Sequence, residues 1–320
     1  MAASIVSALR GGRILVSDGA WGTFLYKKGL GKGDCPELWC ALRPDEVRDI
    51  GASYAAAGSD MIETNSFGGT RIRLASHGLA SRAAELNEAA ARLSREACSR
   101  EAEGRSAALG SRSPGSAWVL GSMGPTGKML LMGELRAEDM YDAFREQAEA
   151  LARGGADALC VETMSDAEEA SIAVRAAKAA TGLEVICTFT FDRTVHGYYR
   201  TMMGLSPEDA AAAALDAGAD IVGSNCGNGL AGMIDVARAM RPAARGAPIM
   251  VQANAGLPAN VDGVDVYPEG PEDMAALVPE LLDAGVSVVG GCCGTTPAHI
   301  AALRKAVDGY LAARPIARPE

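Results

Sequence analysis

Aromatic residues are scarce in this 320-residue chain, at 5%, and histidine occurs only three times. Basic residues are outnumbered 30 to 40, leaving a formal charge of −10. A nucleic-acid or anionic-membrane surface needs a basic stripe, so both functions are excluded as expectations. No apolar run reaches the roughly 20 residues of a membrane-spanning helix. The opening MAASIVSALRGGRILVSDG has a short apolar run broken by Arg10 and Arg13, which does not read as a signal peptide. A glycine-rich nucleotide loop is missing too, because DGAWGT is a poor match to GxGxxG. Neither CxxC nor HxxxH occurs as a metal pattern.

What is present is a large apolar fraction, 48%, carried mainly by Ala, Gly and Val, which excludes general disorder. Small residues of this kind suit helices packed tightly on buried parallel strands. The eight cysteines, with no export signal, are expected to be reduced in a cytoplasmic setting. Cys160 and Cys187 lie in apolar runs and read as core residues, Cys98 lies on a helix, and Cys35 and Cys40 sit in a loop.

Eight strand-like segments alternate with helical patterns: ILVSDG (14–19), DMIETNSF (60–67), WVLGSMG (118–124), ALCVET (158–163), EVICTFTF (184–191), DIVGSNCG (220–227), PIMVQANAG (248–256) and VSVVGGCCG (286–294). Alternation of this kind implies right-handed crossovers and a parallel sheet. Before four of the strands the chain reads AAAGSD, ARGGAD, LDAGAD and LDAGVS, each a helix end with a glycine able to cap it. Ser206-Pro207 and Thr296-Pro297 read as helix starts. Eight units predict a single (β/α)8 barrel domain over residues 1–320. Long segments follow strands one, two, three, five and seven, placing the site on that face. One long loop, 103–116, falls on the opposite face.

Three cysteines close two strands: Cys226 in GSNCGNG, and Cys292 with Cys293 in GGCCGTT. In a closed barrel, strand ends converge over the axis, so these thiols can meet. Three thiolates suit Zn2+ and leave its fourth position open. On spacing alone, core cysteines or a redox-sensitive vicinal dithiol fit as well.

The chain resembles the homocysteine S-methyltransferase family, which includes the homocysteine-binding barrel of cobalamin-dependent methionine synthase and betaine–homocysteine methyltransferase. The carriers are LVSDGAWGT, GSDMIETNSFGGTRIRL, GSMGPTG, CVETMSDAEEA, TMMG, GSNCGN, NAGLP and GGCCGTTPAHI, from about residue 12 to about residue 305. The resemblance implies zinc on Cys226, Cys292 and Cys293, which ready a homocysteine thiolate to attack a methyl donor and form methionine. Three protein thiolates keep the centre net negative, so a fourth sulfur stays electron-rich.

Asp18 and Glu162 resemble the family's partners for the substrate ammonium, and the N–H groups of Gly19 and Ala20 are the expected carboxylate cradle. Asp18 capping a turn, or Glu162 paired with a basic neighbour, remain alternatives. Glu63 occupies a similar strand end, and Thr64, Asn65 and Ser66 are expected to line the pocket. Asn254 is expected between the cysteine-bearing strands, its amide near the metal when substrate is absent. His77, His196 and His299 read as surface residues. Two donors stay open. One is methylcobalamin on a separate corrinoid protein, since nothing in the chain resembles a corrinoid module. The other is a small onium compound such as betaine or S-methylmethionine, for which Trp21, Phe67, Tyr198 and Tyr199 would supply aromatic faces. Another acceptor thiol, or a non-enzymatic zinc or redox-sensing protein, are the remaining readings.

Overall fold

The structure is a computed structural model that describes residues 4–105, 117–261 and 264–314. Most of the expected 103–116 loop lies outside the described residues. Eight parallel strands form the barrel: β1 (Leu15–Val16), β2 (Met61–Glu63), β3 (Trp118–Met123), β4 (Ala158–Met164), β5 (Glu184–Phe189), β6 (Ile221–Asn225), β7 (Ile249–Ala253) and β8 (Val288–Gly291). Between and after them run α1 (Pro44–Ala57), α2 (Ala83–Arg105), α3 (Ala137–Gly154), α4 (Ala167–Thr181), α5 (Pro207–Ala217), α6 (Leu230–Met240), α7 (Pro271–Asp283) and α8 (Pro297–Ala313). The hydrogen-bonded order runs β1, β8, β7, β6, β5, β4, β3, β2.

At the seam between β1 and β2, Asp60 ties the strands through both its backbone and its side chain instead of a ladder. Asp60 N–H donates to Val16 O at 2.6 Å, and Val16 N–H donates to Asp60 Oδ2 at 2.9 Å. Arg304 of α8 braces the same carboxylate at 3.1 Å. For lack of a ladder there, β1 and β2 are shorter than the segments 14–19 and 60–67 promised. Their remaining residues turn into the site.

Strand parity divides the core. Leu15, Met61, Leu120, Ala158, Cys160, Ile186, Ile221, Met250 and Val288 fill the barrel interior, and Ile5 and Leu9 of a short N-terminal helix plug its lower end. The alternate residues, such as Val161, Val185, Val222 and Val289, face the helices. Burying each such side chain contributes about 1.5–3 kcal/mol. Gly58, Gly155, Gly218 and Gly285 all take positive φ where their helices end, as the four-fold repeat implied. Ser206 caps α5 by accepting Asp209 N–H at 3.1 Å. No helix among the described residues is long and apolar enough to cross a membrane.

Candidate metal and substrate centre

Strand ends β6 and β8 bring the three cysteines together: the sulfurs of Cys226, Cys292 and Cys293 all lie within 4.8 Å of one another. Backbone bonds fix them. Cys226 N–H donates to Gln252 O at 3.1 Å, Cys292 N–H to Ala253 O at 2.7 Å, and Ala255 N–H to Cys293 O at 3.0 Å. Cys226 itself sits at φ 59, a left-handed conformation unusual outside glycine. Gly294 (φ +82) passes so close to Tyr267 that an added Cβ would stand 2.2 Å from its ring.

The Cys226 and Cys293 sulfurs are 3.9 Å apart. A tetrahedral ion with metal–sulfur bonds near 2.3 Å sets its ligands about 3.8 Å apart, a spacing that the Cys226–Cys293 pair matches. Without metal the three thiols share charge. Hydrogen bonds from Cys292 and Cys293 pull Cys226 down to about 3. The bond to Cys226 holds Cys293 up at about 11, and Cys292 is likewise raised. Asn254 is buried beside them, bonded to Cys226, and its Oδ1 has no hydrogen-bond partner.

A cavity of about 440 Å3 opens from the cysteines and is walled by Glu63, Glu162, Gln252 and Ser122. Gly19, Ala20, Thr64, Asn65 and Ser66 also line it. Asp18 does not: it is fully buried behind the wall, accepting from Glu63 N–H (2.8 Å), Trp21 Nε1 (2.9 Å) and Ser17 Oγ (3.3 Å). Glu162 accepts from Ser122 Oγ, and Glu63 from Gln252 Nε2 at 2.8 Å. Among the described residues none of these three acids has an ion-pair partner, so the Lys or Arg partner weighed for Glu162 is missing. Burial pushes Asp18 up to about 6 and Glu162 up to about 7, and raises Glu63 well above the carboxylate range. Two desolvated acids, Glu63 and Glu162, face the cavity with a third, Asp18, behind them, an arrangement whose chemistry suits a cationic group.

Other expected residues divide. Ala20 N–H already donates to Thr295 Oγ1 at 3.1 Å, whose hydroxyl in turn donates to Cys292 O at 2.7 Å. Thr64 Oγ1 accepts Ser122 N–H at 2.9 Å, and Asn65 Nδ2 donates to Pro36 O at 2.8 Å, so both build the wall. Of the four aromatics, Trp21 and Phe67 line the cavity, while Tyr198 and Tyr199 do not. Arg73 stacks over Phe67 at 5.6 Å. His196 is exposed, as expected; His77 is exposed too, but it also borders the cavity. His299 is not a surface residue. It is buried, caps α8 through Nδ1 at 2.9 Å from Thr296 Oγ1, and reaches Glu269 O with Nε2 at 3.0 Å. Asn225, Thr163, Gln252 and Thr295 were missed. A buried Asn just before a candidate ligand was the one available signal, and it names no partner.

Among the described residues, large apolar side chains are exposed in one region only. All ten among the described residues, including Val195 (97% exposed) and Leu131 (81%), lie on strand-to-helix loops around the mouth. Four of the chain's six lysines, Lys27, Lys28, Lys32 and Lys128, lie on the same loops.

Residues 15–307 match the family model described as homocysteine S-methyltransferase. The chain is 35% identical over 322 residues to methionine synthase of Mycobacterium tuberculosis, covering 96% of itself and 25% of that protein. Against methionine synthase of Mycobacterium leprae it is 35% identical over 309 residues, covering 92% and 24%. It thus spans about a quarter of the length of these curated relatives. The metallated form of the Escherichia coli homocysteine methyltransferase MmuM superposes with TM-score 0.74 at 26% identity, over 93% of this chain and 98% of that one. On the family model and these relatives, the chain belongs to the homocysteine S-methyltransferase family.

Proposed function

We propose that the protein is a zinc-dependent homocysteine S-methyltransferase that forms methionine, with methylcobalamin on a separate corrinoid protein as donor. The observation that carries this is the cavity itself, with three sulfurs clustered within 4.8 Å on one side and desolvated, unpaired acids on the other. An amino acid bearing a thiol matches both ends. Cys226, Cys292 and Cys293 would hold the metal, and the orphaned Oδ1 of Asn254 fits a fourth ligand in the absence of substrate.

Zn2+ held by three thiolates supplies a weak Lewis acid that favours the substrate's thiolate near neutral pH while leaving the sulfur nucleophilic. The chain's own residues do the rest. Glu162 accepts the substrate ammonium directly, Asp18 adds negative potential from behind and holds Trp21 in place, and Glu63 lies beside them. The turn at Gly19 and Ala20 faces the substrate carboxylate. Close walls at Gly19, where a Cβ would meet Thr295 Oγ1 at 2.7 Å and Tyr54 Cε1 at 2.8 Å, keep the turn near the cavity.

The exposed apolar and lysine-bearing rim favours a donor carried by a protein over a free onium compound. It also sets this reading apart from a non-enzymatic metal or redox protein, which has no use for such a rim or for the acids. The test is to incubate the zinc protein and homocysteine separately with methylcobalamin, betaine, S-methylmethionine and methyltetrahydrofolate and measure methionine. Turnover is expected with methylcobalamin. Turnover with betaine or S-methylmethionine and none with methylcobalamin would reverse the choice of donor, and no methionine from any of them would remove the reading.

A further inference from the structure

One buried carboxamide joins the two halves of the site. Asn225, the last residue of β6, is fully buried. Its Oδ1 accepts Thr163 N–H at 2.8 Å and Thr188 Oγ1–H at 2.8 Å. Its Nδ2 donates to Thr163 Oγ1 at 2.7 Å and lies 3.4 Å from Glu162 Oε2 and 4.0 Å from Cys292 Sγ. A single nitrogen therefore stands between the ammonium-binding acid and a metal-ligating sulfur.

The residue it grips is strained. Thr163 has φ 59, a left-handed conformation that a β-branched residue adopts only when its surroundings impose it, at a cost on the order of 1–3 kcal/mol. The pairing of β4 with β5 shifts register between Val161 and Met164, so an extra residue is accommodated there. Parity shows the effect. Val161 and Met164, three apart, both pack in the outer core, while Glu162 and Thr163 both line the cavity. Asn225 holds this bulge by both its backbone N–H and its hydroxyl, and thereby fixes where Glu162 stands.

We infer that Asn225 is a positioning residue that sets the span between Glu162 and the cysteine cluster and so selects the amino-acid thiol by its chain length. This rests on the proposed reading of the site, in which the ammonium binds at Glu162 and the sulfur at the cysteines. A rigid span accepts homocysteine and disfavours cysteine, which is one methylene shorter. A methylene is ordinarily discriminated by about 10- to 200-fold. If the clamp loosens, Glu162 follows its substrate and the preference fades.

The test uses Thr163→Val, which removes the hydroxyl while keeping shape and branching, and Thr163→Ser, which restores it. Thr188→Val loosens the other end of the amide, away from cavity and metal. Binding of homocysteine and of cysteine to the zinc-loaded protein is measured by calorimetry, with zinc content and KM and kcat for homocysteine alongside. Wild type should prefer homocysteine at least about tenfold. In Thr163→Val the preference should fall several-fold, through weaker homocysteine binding and raised KM more than through kcat, with zinc retained. Thr163→Ser should return it, and Thr188→Val should move the same way by less. A wild-type preference in both valine variants, with only thermal stability lowered, would reduce Asn225 to a structural tie. If Thr163→Val does not fold, Thr188→Val decides. Wild-type protein that bound neither thiol would remove the underlying reading and this inference with it, a result distinct from equal preference across the variants.

Discussion

Asp18 accepts the backbone N–H of Glu63 at 2.8 Å, so one buried acid is anchored to the strand that carries another. Burial raises Asp18 to about 6 from its ordinary value of 3.8. An acid whose folded pKa is raised favours folding below its unfolded pKa and loses that contribution as pH climbs through the folded value. The metal-free protein should therefore lose stability between about pH 4 and pH 6 on account of Asp18. Asp18→Asn can keep all three bonds, with its oxygen on Glu63 N–H and Trp21 Nε1 and its NH2 toward Ser17 Oγ. At pH 8 it should be more stable than wild type, by at most roughly 3 kcal/mol at about 1.4 kcal/mol per pKa unit. At pH 4 the difference should nearly vanish. Urea midpoints at the two pH values check this, and equal midpoints at pH 8 would show that the buried charge costs nothing. Homocysteine binding by the same variant should be weaker, a stability-for-function exchange at one residue.

Metal content gives the next expectation. Purified protein should hold one zinc per chain, and the Cys292→Ala, Cys293→Ala double variant should lose zinc and methyl transfer together. Far-UV circular dichroism should change little, because the barrel interior from Leu15 to Val288 packs without the metal. Mild peroxide should release zinc as well, since a disulfide formed across the 3.9 Å between Cys226 and Cys293 no longer ligates. Full zinc by elemental analysis in the double variant would dismiss the ligand assignment.

The barrel and its cysteines were legible because each signal is local. Strand and helix periods, glycines at helix ends and cysteines at strand ends need no knowledge of distant contacts. Depth was not legible. Asp18 and Glu63 both end early strands, yet Trp21 and the Glu63 backbone enclose the first while the second reaches the cavity. His299 looked like a surface residue because its partner, Glu269 O, lies 30 residues away. Tyr198 and Tyr199 looked available for the pocket, but the hairpin formed by Asp192–Arg193 and Tyr199–Arg200 directs them elsewhere. Asn225 acts through β4 and β5, contacts that no spacing rule supplies.

The proposed function has Glu162, which lines the cavity, accept the substrate ammonium, and Glu162→Gln tests it. The amide retains the volume and can still accept from Ser122 Oγ, so the wall should stand. Loss of a charge-assisted hydrogen bond should weaken homocysteine binding by about 1.5–3 kcal/mol. Calorimetry in two buffers of different ionisation enthalpy reads affinity and proton release together. Binding to the wild-type zinc protein should release protons near neutral pH. The absence of release would mean that the thiol stays protonated in the complex.

On the proposed reading, the rim is where a protein-borne methyl donor docks. Leu131, Val195 and Tyr198 project from the loops after β3 and β5 and have little to pack against within the chain. Apolar side chains exposed this far are costly to solubility unless a partner covers them. A triple substitution, Leu131→Ser, Val195→Ser and Tyr198→Ser, should leave the fold and homocysteine binding unchanged, because none of the three lines the cavity. With a methylated corrinoid protein as donor, KM for that protein should rise about tenfold or more, as expected when interface anchors worth over about 1 kcal/mol each are removed. With free methylcobalamin the rate should hardly move, since no protein surface has to dock. Adding salt should weaken the wild-type reaction with the corrinoid protein, because Lys27, Lys28, Lys32 and Lys128 around the mouth would meet an acidic partner and exposed charges are screened. Equal KM for the corrinoid protein in wild type and triple variant would move the docking surface elsewhere or return the choice to a small onium donor. Slowed turnover with both donors would instead point to damage reaching the cavity, which unchanged homocysteine affinity would rule out.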